Sequence, residues 1–490
     1  MSRRVEQVVV IGRDAAVWLS ALAVQRALGR AGAKVRVIEM PSLLTTADVY
    51  AAVPSLGGLH RLLGLNEAAV LEAAEGLPVL GQRFVDWGAA PFIHGYDTHG
   101  VTLSDIEFTQ IWTRARGEGL PVPFEDFCLA AAAAKQGRSP VTRAGVSADQ
   151  PVSVGYHLDA RAYVDLLRGA AIQAGVEARA GDVAEVERSG DRVLSVTLTD
   201  AEVVQADLFI DASGPAAVLA SGAPGPGFES WRSWFGANRL LVASAPRLKP
   251  LPAFSQIAAF PAGWVGLHPL KSRTAVVAAF DSRAMSDAQV LQALPGLTGL
   301  PLTGEATVEH LHPGMRPAWV GNCIAVGGAA VSLEPLDAVQ LHLIHLGLST
   351  LVSLFPTEVE AMPEAAAYNR AIASHVANVR DFQLAHYVLN RRDGEAFWDR
   401  ARAPELPGGL RARLQLFGAR GRVLQGEDES FQPQNWAQIL IGHGLIPADP
   451  DPAVDAVPAA EQIEKVQGLL RRIAGEVRAM PALDAEFGAA

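Results

Sequence analysis

Two glycine-containing turns are the parts of this 490-residue chain best suited to hold a phosphate. Val8 to Ile11 is an apolar run typical of a buried strand, and it ends at Gly12. Cys323 to Val326 is a second such run, and it ends at Gly327 and Gly328. A predicted helix follows each run, and the free N–H groups at a helix N-terminus attract anions. The sequence therefore predicts an anion-binding turn after both strands.

An acidic residue closes the strand that follows the first turn. Lys34 to Glu39 is the second strand of a β-α-β unit, and its final residue is placed to accept the ribose hydroxyls of a dinucleotide. The turn reads Gly-Arg-Asp-Ala-Ala-Val, so only the first glycine of a GxGxxG pattern is present. Asp14 adds a negative charge where two phosphates would lie, Val17 adds bulk, and Arg13 could meet the phosphates itself. Two interpretations stay open: a weakened dinucleotide site, or a Rossmann-like unit kept for structure.

Histidines are the other candidates for chemistry. His268, in the stretch Gly-Trp-Val-Gly-Leu-His-Pro-Leu, could act as a general base, or it could be a satisfied histidine inside a sheet. His94 and His99 are lone loop histidines, and the two cysteines, Cys128 and Cys323, lie far apart in sequence. Isolated ligands of this kind do not make a metal site, so no metal is predicted.

The composition is that of a globular protein. Hydrophobic residues make up 49% and charged residues 19% of the chain, and the formal net charge is −11. An acidic balance argues against binding to a nucleic-acid backbone. No apolar run approaches the roughly 18 residues of a membrane span. The N-terminal apolar run is short and flanked by charge, which is unlike a signal peptide. We therefore expect a cytoplasmic protein.

The order of these elements predicts an α/β fold with a Rossmann-type dinucleotide domain, a mixed sheet and a helical C-terminal cap. The dinucleotide-binding domain would be discontinuous within residues 1–355, with its core near 1–40, 150–220 and 315–350. Residues 41–149 and 225–312 would form an inserted substrate-side region. Residues 356–490 would be mostly helical.

Several stretches resemble the flavin-dependent tryptophan halogenase family. Residues 322–339 read NCIAVGGAAVSLEPLDAV, close to the family's NCVAIG-x-AAGFLEPLEST. Residues 207–215 read DLFIDASGP, beside the family's DLFIDCSGFR, and aromatic residues between 368 and 436 continue the match. The resemblance extends over nearly the whole chain. It implies the fold of FAD-dependent monooxygenases and halogenases.

The resemblance also implies a set of site residues. The cofactor-binding residues would be Gly12, Arg13, Glu39, Asp211, Gly214, Gly327 and Gly328. Trp264 and Trp436 would line the substrate side. Asp337, which matches the family's active-site glutamate, and His268 are the candidate catalytic residues.

Three positions depart from the family where its chemistry takes place. This chain has Val79 at the position where the family has the lysine that reacts with hypohalous acid. No lysine occurs between Lys34 and Lys135. The second tryptophan of WxWxIP becomes Gly266, which should open space beside the first. The family's EST becomes Asp-Ala-Val at residues 337–339. Val339 and the Gln340 that follows are stiffer and bulkier than the turn that holds halide in the family.

Two functions from different classes follow. The chain could be a non-catalytic member that keeps the fold as a binding or partner subunit, in a homodimer or beside an intact halogenase. It could instead be an FAD-dependent oxidoreductase, a halogenase or monooxygenase acting on an indole-like or other small aromatic molecule. The changes at every reactive position favour the first function, in which the chain does not halogenate. We also expect weak or absent FAD binding. A partner subunit should also expose an apolar patch, most readily on the C-terminal helices.

Overall fold

The computed structural model describes residues 3–100, 106–142, 145–146, 152–223, 225 and 227–488. The chain divides into two compact units, and each unit is built from three separated stretches. The first unit comprises Met1–Gly76, Leu158–Arg232 and Leu311–Ala377. The second unit comprises Leu77–His157, Ser233–His310 and Asn378–Ala490.

A six-stranded sheet forms the centre of the first unit. Its strands, in spatial order, are Glu177–Ala180, Lys34–Glu39, Gln7–Gly12, Leu208–Ala212, Cys323–Ala325 and Trp319–Val320. The first five run parallel, and the last is antiparallel to its neighbour. The central strand Gln7–Gly12 is buried from its second residue onward, which explains its continuous apolar run.

Helices pack against this sheet. Helix Asp14–Leu28 contacts the strands of the sheet and two further helices, Ala160–Gln173 and Gln340–Ser353. Asp159 caps helix Ala160–Gln173, because its carboxylate accepts the N–H of Ala162 at 3.1 Å. The unit also contains helices Ser55–Leu62 and Glu67–Ala73 and the start of Glu364–Val388.

Shorter strands complete the first unit. They are Val49–Ala52, Val183–Ser189, Arg192–Leu198, Val203–Val204, Glu229–Ser230, Gly314–Met315 and Val331–Ser332.

A seven-stranded mixed sheet forms the centre of the second unit. Its strands, in spatial order, are Thr303–His310, Arg239–Pro246, Arg273–Phe280, Gly263–Pro269, Ser255–Phe260, Gly81–Val85 and Phe92–Gly95. Ser255–Phe260 and Gly81–Val85 are parallel, and the other neighbours are antiparallel. Helix Asp287–Thr298 covers one face with Val290 and Leu294, which belong to the same buried apolar cluster as Val265 on the sheet.

Further strands and helices surround this second sheet. The strands are Leu77–Val79, Val141–Thr142, Gly145–Val146 and Gly155–Asp159, the last of which ends in the first unit. The helices are Phe108–Gly117, Leu129–Lys135, Ala396–Arg402, Gly408–Arg420, Pro433–Gly442, Ala459–Ala479 and Leu483–Phe487. The predicted α/β architecture with a Rossmann-type sheet, a mixed sheet and C-terminal helices is confirmed. Within the described ranges, no helix combines the length and the apolar character needed to cross a bilayer.

Candidate functional site

The first glycine turn lies at the carboxyl edge of the six-stranded sheet. Gly12 is paired with Glu39 on one side and Ala212 on the other. A Cβ atom on Gly12 would lie 2.2 Å from the carbonyl carbon and oxygen of Ala212, so this position has no room for a side chain. The adjacent Arg13 donates its backbone N–H to Ala212 O at 3.2 Å. Glycine is thus required here by the closeness of two strands.

Asp14 holds the turn in the backbone conformation that a glycine would favour. Its φ of 59° lies in the left-handed region, where residues other than glycine are uncommon. The Asp14 carboxylate accepts the hydroxyl hydrogen of Ser42 at 2.5 Å. Burial raises the pKa of Asp14, and the hydrogen bond from Ser42 opposes that rise. The left-handed backbone of this turn therefore carries an acid.

A tyrosine hydroxyl occupies the N-terminus of the helix that follows. The backbone N–H of Ala15 donates to Tyr50 Oη at 3.4 Å, and Tyr50 belongs to the strand Val49–Ala52. The ring of Tyr50 packs edge-on against Tyr163 at 6.0 Å between centroids. Burial, together with the nearby Asp14 carboxylate, raises the pKa of Tyr50, so its hydroxyl is neutral at physiological pH. A neutral oxygen thus takes one of the donors that an anion would use at this position.

Glu39 is engaged with the protein's own side chains. Its Oε1 accepts the indole N–H of Trp18 at 3.2 Å, and it forms an ion pair with Arg168. The Arg168 guanidinium also lies over the Trp18 ring, 5.5 Å from its centroid. The predicted ribose acceptor therefore already binds one indole and one guanidinium group.

Asp211 organises the loop after its strand. One carboxylate oxygen accepts the backbone N–H and the hydroxyl of Ser213, at 3.0 and 2.6 Å. The other accepts the N–H groups of Leu219 and Ala220, both at 2.8 Å. The side chain is fully buried, and these four bonds fix the path of residues 213–220. The role that this geometry supports for Asp211 is positioning.

The glycine turns after three parallel strands meet. A Cβ on Gly328 would lie 3.2 Å from Gly214 Cα, and a Cβ on Gly327 would lie 3.7 Å from Cβ of Ala16. Gly214 and Gly327 both have positive φ, at 77° and 60°. The fold therefore brings the predicted cofactor-binding residues of the first unit to one edge of the sheet, where ligands of open α/β folds bind.

The turn before helix Gln340–Ser353 has an unusual backbone. Asp337 and Ala338 have φ values of 59° and 57°, two successive left-handed residues that are not glycine. Both are buried, and so is Val339, which precedes the helix. Conformations of this kind cost roughly 1–3 kcal/mol each and persist only where the surrounding structure imposes them.

His268 fills the space that Gly266 leaves on the second sheet. A Cβ on Gly266 would lie 2.7 Å from His268 Nε2 and 3.2 Å from a side-chain carbon of Ile257. The expected open space beside Trp264 is therefore absent at this point, because the imidazole two residues along the strand turns onto the same face. Burial lowers the pKa of His268 to about 4, so the ring is neutral near pH 7.

A second histidine stands next to it. His157 Nδ1 donates to Pro269 O at 2.9 Å, which leaves Nε2 to accept the hydroxyl hydrogen of Ser255 at 2.7 Å. The rings of His157 and His268 are 5.2 Å apart in an edge-on arrangement. Ser255 and His157 are both buried, so this serine–histidine pair has no exposed hydroxyl to offer a substrate.

The two tryptophans predicted to line the substrate side are both buried. Trp264 donates its indole N–H to Tyr387 Oη at 2.8 Å. Trp436 packs edge-on against Phe382 at 5.0 Å, and the Arg413 guanidinium lies 4.1 Å from its ring centroid. Each ring is covered by other side chains of the second unit, as expected for core residues.

Val79 lies within an apolar segment of the second unit. It is 2% exposed, and its strand, Leu77–Val79, pairs with Gly155 to His157 in antiparallel register. Leu77 and Leu80 beside it are also buried. This site therefore presents no amine and no other nucleophile.

A family model described as "Tryptophan halogenase" matches residues 7–459 of the chain. The chain belongs to the tryptophan halogenase family. It is 25% identical over 504 residues to the tryptophan 6-halogenase SttH of Streptomyces toxytricini, an alignment covering 94% of both chains. It is 23% identical to the tryptophan 7-halogenase RebH of Lentzea aerocolonigenes, with 96% of both chains covered.

Solved structures support the same assignment. BrvH, a flavin-dependent halogenase from Brevundimonas sp. BAL3, is 31% identical with a TM-score of 0.90 and 98% of both chains covered. A flavin-dependent halogenase from Xanthomonas campestris is 29% identical with a TM-score of 0.93, covering 99% of this chain and 98% of that one. The overall fold is therefore that of a flavin-dependent halogenase.

Cysteine thiols and clusters of potential metal ligands are the remaining candidates for chemistry. Among the described residues, no group of three or more histidine, cysteine, aspartate or glutamate side chains is arranged to hold a metal ion. The thiols of Cys128 and Cys323 are buried and not joined. Burial raises the pKa of the Cys128 thiol to about 12, so it does not ionise near neutral pH.

The side chains that bind the Ala15 N–H and the Glu39 carboxylate in this family member could not be predicted from its sequence. Tyr50 lies 35 residues after Ala15, and no local pattern marks it as a partner of the helix N-terminus. Arg168 lies 129 residues after Glu39, on another helix, and no local pattern links them. A long-range pairing of this kind could be found only from the fold.

Proposed function

We propose that this member of the tryptophan halogenase family does not halogenate, and that it keeps the fold as a binding or partner subunit. The proposal rests on Val79, which stands at the position of the family's reactive lysine. Its side chain is buried among apolar neighbours, and an alkyl group cannot take up an oxidised halogen. Without a positioned nucleophile, orientation of the other groups cannot replace the missing step.

The turn at residues 337–339 supports the same proposal. A halide held by backbone N–H groups needs a turn with room and conformational freedom. Here Val339 is buried and bulky, and it follows two residues with left-handed backbone, Asp337 and Ala338. A β-branched side chain leaves little freedom at this position.

We further propose that FAD binds weakly or not at all to the first glycine turn. Members of the family are flavin-dependent, but the described residues of this chain do not fit a diphosphate there as they stand. Tyr50 Oη takes the Ala15 N–H, and the Asp14 carboxyl lies at the same turn. Glu39, the ribose acceptor, is engaged by Trp18 and Arg168. Any dinucleotide would have to displace these contacts and accept a nearby negative charge.

Halogenation is tested by mass spectrometry. The purified chain is supplied with reduced FAD, oxygen, chloride or bromide, and tryptophan or indole, with an intact halogenase of the family as positive control. We expect no halogenated product from the wild type or from Val79→Lys, because the halide and flavin sites would still be altered. Product from the wild type would overturn the proposal. Product from Val79→Lys would show that both other sites are functional.

Flavin binding is tested by titration of the protein with FAD and by the colour of the purified chain. We expect a colourless or faintly yellow protein and tighter binding in the double variant Asp14→Gly, Val17→Gly, which removes the charge and the bulk. Asp191→Asn, an exposed aspartate in a hairpin of the same unit, is the matched control for charge. A stoichiometric yellow complex of the wild type would contradict this part of the proposal.

One observation favours the alternative function, an FAD-dependent oxidoreductase acting on an aromatic molecule. The three glycine turns still meet at one edge of the sheet, and the Asp14 backbone keeps the left-handed conformation of a glycine turn. The FAD titration separates the two functions, since only the oxidoreductase requires tight flavin binding.

A further inference from the structure

A cleft in the second unit contains none of the residues discussed above as cofactor or catalytic candidates. Its volume is about 500 Å³, within the range of roughly 300–1,000 Å³ that small-molecule sites occupy. Residues 88–92 and 123–125 line it together with side chains from helices Phe108–Gly117 and Pro433–Gly442. All of its described walls belong to the second unit.

The floor of the cleft is aromatic. Phe92, Trp112 and Phe124 line it, and each is less than a tenth exposed, at 7%, 1% and 3%. Trp112 and Phe124 meet edge-on at 5.3 Å between ring centroids, so their positions are fixed by mutual packing. A flat apolar group can pack on such a floor.

A buried amide side chain with an unsatisfied oxygen lines the cleft. Gln438 lines it and is 2% exposed, and its Nε2 donates to Ile93 O at 2.7 Å. Its Oε1 is buried and accepts no hydrogen bond from the described residues. A buried acceptor without a donor costs roughly 1–3 kcal/mol. A ligand with an N–H or O–H group would satisfy it.

The charges at the cleft favour an anion. Arg116 and Arg391 line it and are exposed, and the Arg116 guanidinium lies 5.3 Å from the centroid of the Trp112 ring. Glu125 is the acidic residue of the lining, and its carboxylate accepts the Ile93 N–H at 2.6 Å and pairs with Lys135. Two exposed guanidinium groups and one carboxylate leave the lining side chains with a net positive charge, which suits a carboxylate ligand.

We propose that this cleft binds a small aryl carboxylate that carries a hydroxyl or N–H donor. The carboxylate meets the arginines, the ring packs on the aromatic floor, and the donor reaches Gln438 Oε1. The proposal is independent of flavin and of halogenation, because none of its residues takes part in the glycine turns or the segment around Val79.

Calorimetric titration with three probes tests this site. We expect 4-hydroxybenzoate to bind, benzoate to bind more weakly because it lacks the donor, and phenol more weakly because it lacks the charge. Arg116→Gln should weaken binding of both acids by about five- to tenfold, with smaller loss at high salt. Gln438→Leu should weaken 4-hydroxybenzoate and leave benzoate unchanged.

Arg471→Gln, an exposed arginine on helix Ala459–Ala479, serves as the matched control and should leave all three titrations unchanged. The proposal is overturned if 4-hydroxybenzoate gives no heat of binding at millimolar concentration. It is also overturned if Arg116→Gln binds both acids like the control variant. Because Arg116 is exposed, its substitution should not prevent folding, and circular dichroism of each variant checks this.

Discussion

Asp14 shows how a single side chain changes what a turn can accept while the backbone keeps its path. Its φ of 59° is one that glycine adopts freely, yet the residue adds a carboxylate held by Ser42. Val79 is the corresponding case at the position that the family resemblance assigns to a reactive lysine, because its side chain is a buried alkyl group. At this scale, a change in the chemical character of a side chain need not alter the fold.

Gly12 should tolerate no side chain at all. Gly12→Ala would place a Cβ 2.2 Å from the backbone of Ala212, which cannot give way without moving a central strand. We expect a loss of roughly 3 kcal/mol or more in the free energy of unfolding, or no folded protein. Urea denaturation measures it. Gly169→Ala, in helix Ala160–Gln173 with no atom within 4 Å of the added carbon, is the control and should be neutral or stabilising.

His268 should make stability depend on pH. Its pKa is lowered to about 4 by burial, whereas an unfolded histidine titrates near 6.5, so protonation favours the unfolded chain. The neutral His268 ring makes its full contribution to the free energy of unfolding above pH 6.5. As the pH falls from 6.5 toward 4, that free energy decreases by about 1.4 kcal/mol per pH unit.

The substitution His268→Asn should remove that part of the slope in urea denaturation measured between pH 7 and pH 4.5. An unchanged slope in His268→Asn would mean that this ring is protonated as easily in the folded state as in the unfolded one.

At the scale of elements, the sequence predicted strands better than contacts. Lys34–Glu39 has the predicted bounds, and the strand predicted from Val8 to Ile11 extends by one residue at each end. Both have continuous apolar runs, which buried parallel strands require.

The space beside Gly266 was predicted wrongly, because the imidazole of His268, two residues away on the same strand, fills it. Pairings such as that of Glu39 with Arg168 depend on how helices pack, which periodicity does not encode.

The loop of residues 213–220 should depend on the Asp211 carboxylate. Asp211→Asn replaces an acceptor oxygen with an amide that would face N–H donors of the loop, so two of its four hydrogen bonds would be lost. We expect a loss of about 2–4 kcal/mol in the free energy of unfolding and faster amide hydrogen exchange within this loop. Asp191→Asn, at an exposed hairpin, should change neither quantity. Exchange in the loop that matches the wild type would show that these bonds do not hold it.

For the molecule as a whole, the surface gives little support to a large permanent interface on the C-terminal helices. In the described part of residues 356–490, the exposed large apolar side chains are Leu424 and Ile463, at 64% and 45%. They lie on different segments, whereas a partner-binding patch should be contiguous and exceed a few hundred Å². The predicted apolar patch is therefore not found there. Its absence counts against a permanent homodimer or heteromer formed by these helices, so the proposed binding role has to use another surface or a transient partner.

The isolated chain should consequently sediment as a monomer. With a formal net charge of −11 and scattered exposed apolar residues, self-association has no strong driving force at micromolar concentration. Analytical ultracentrifugation at low and at physiological salt measures this. A stable dimer at both salt concentrations would contradict the prediction and would locate an interface elsewhere on the described surface.

The left-handed residues Asp14, Asp337 and Ala338 give the chain a practical value as an engineering scaffold. At each of them glycine would be the less strained residue, so a designer who places glycine there should lose no backbone stability and can leave the loop lengths unchanged. New side chains can then be tested beside these turns on a main chain that does not have to be rebuilt.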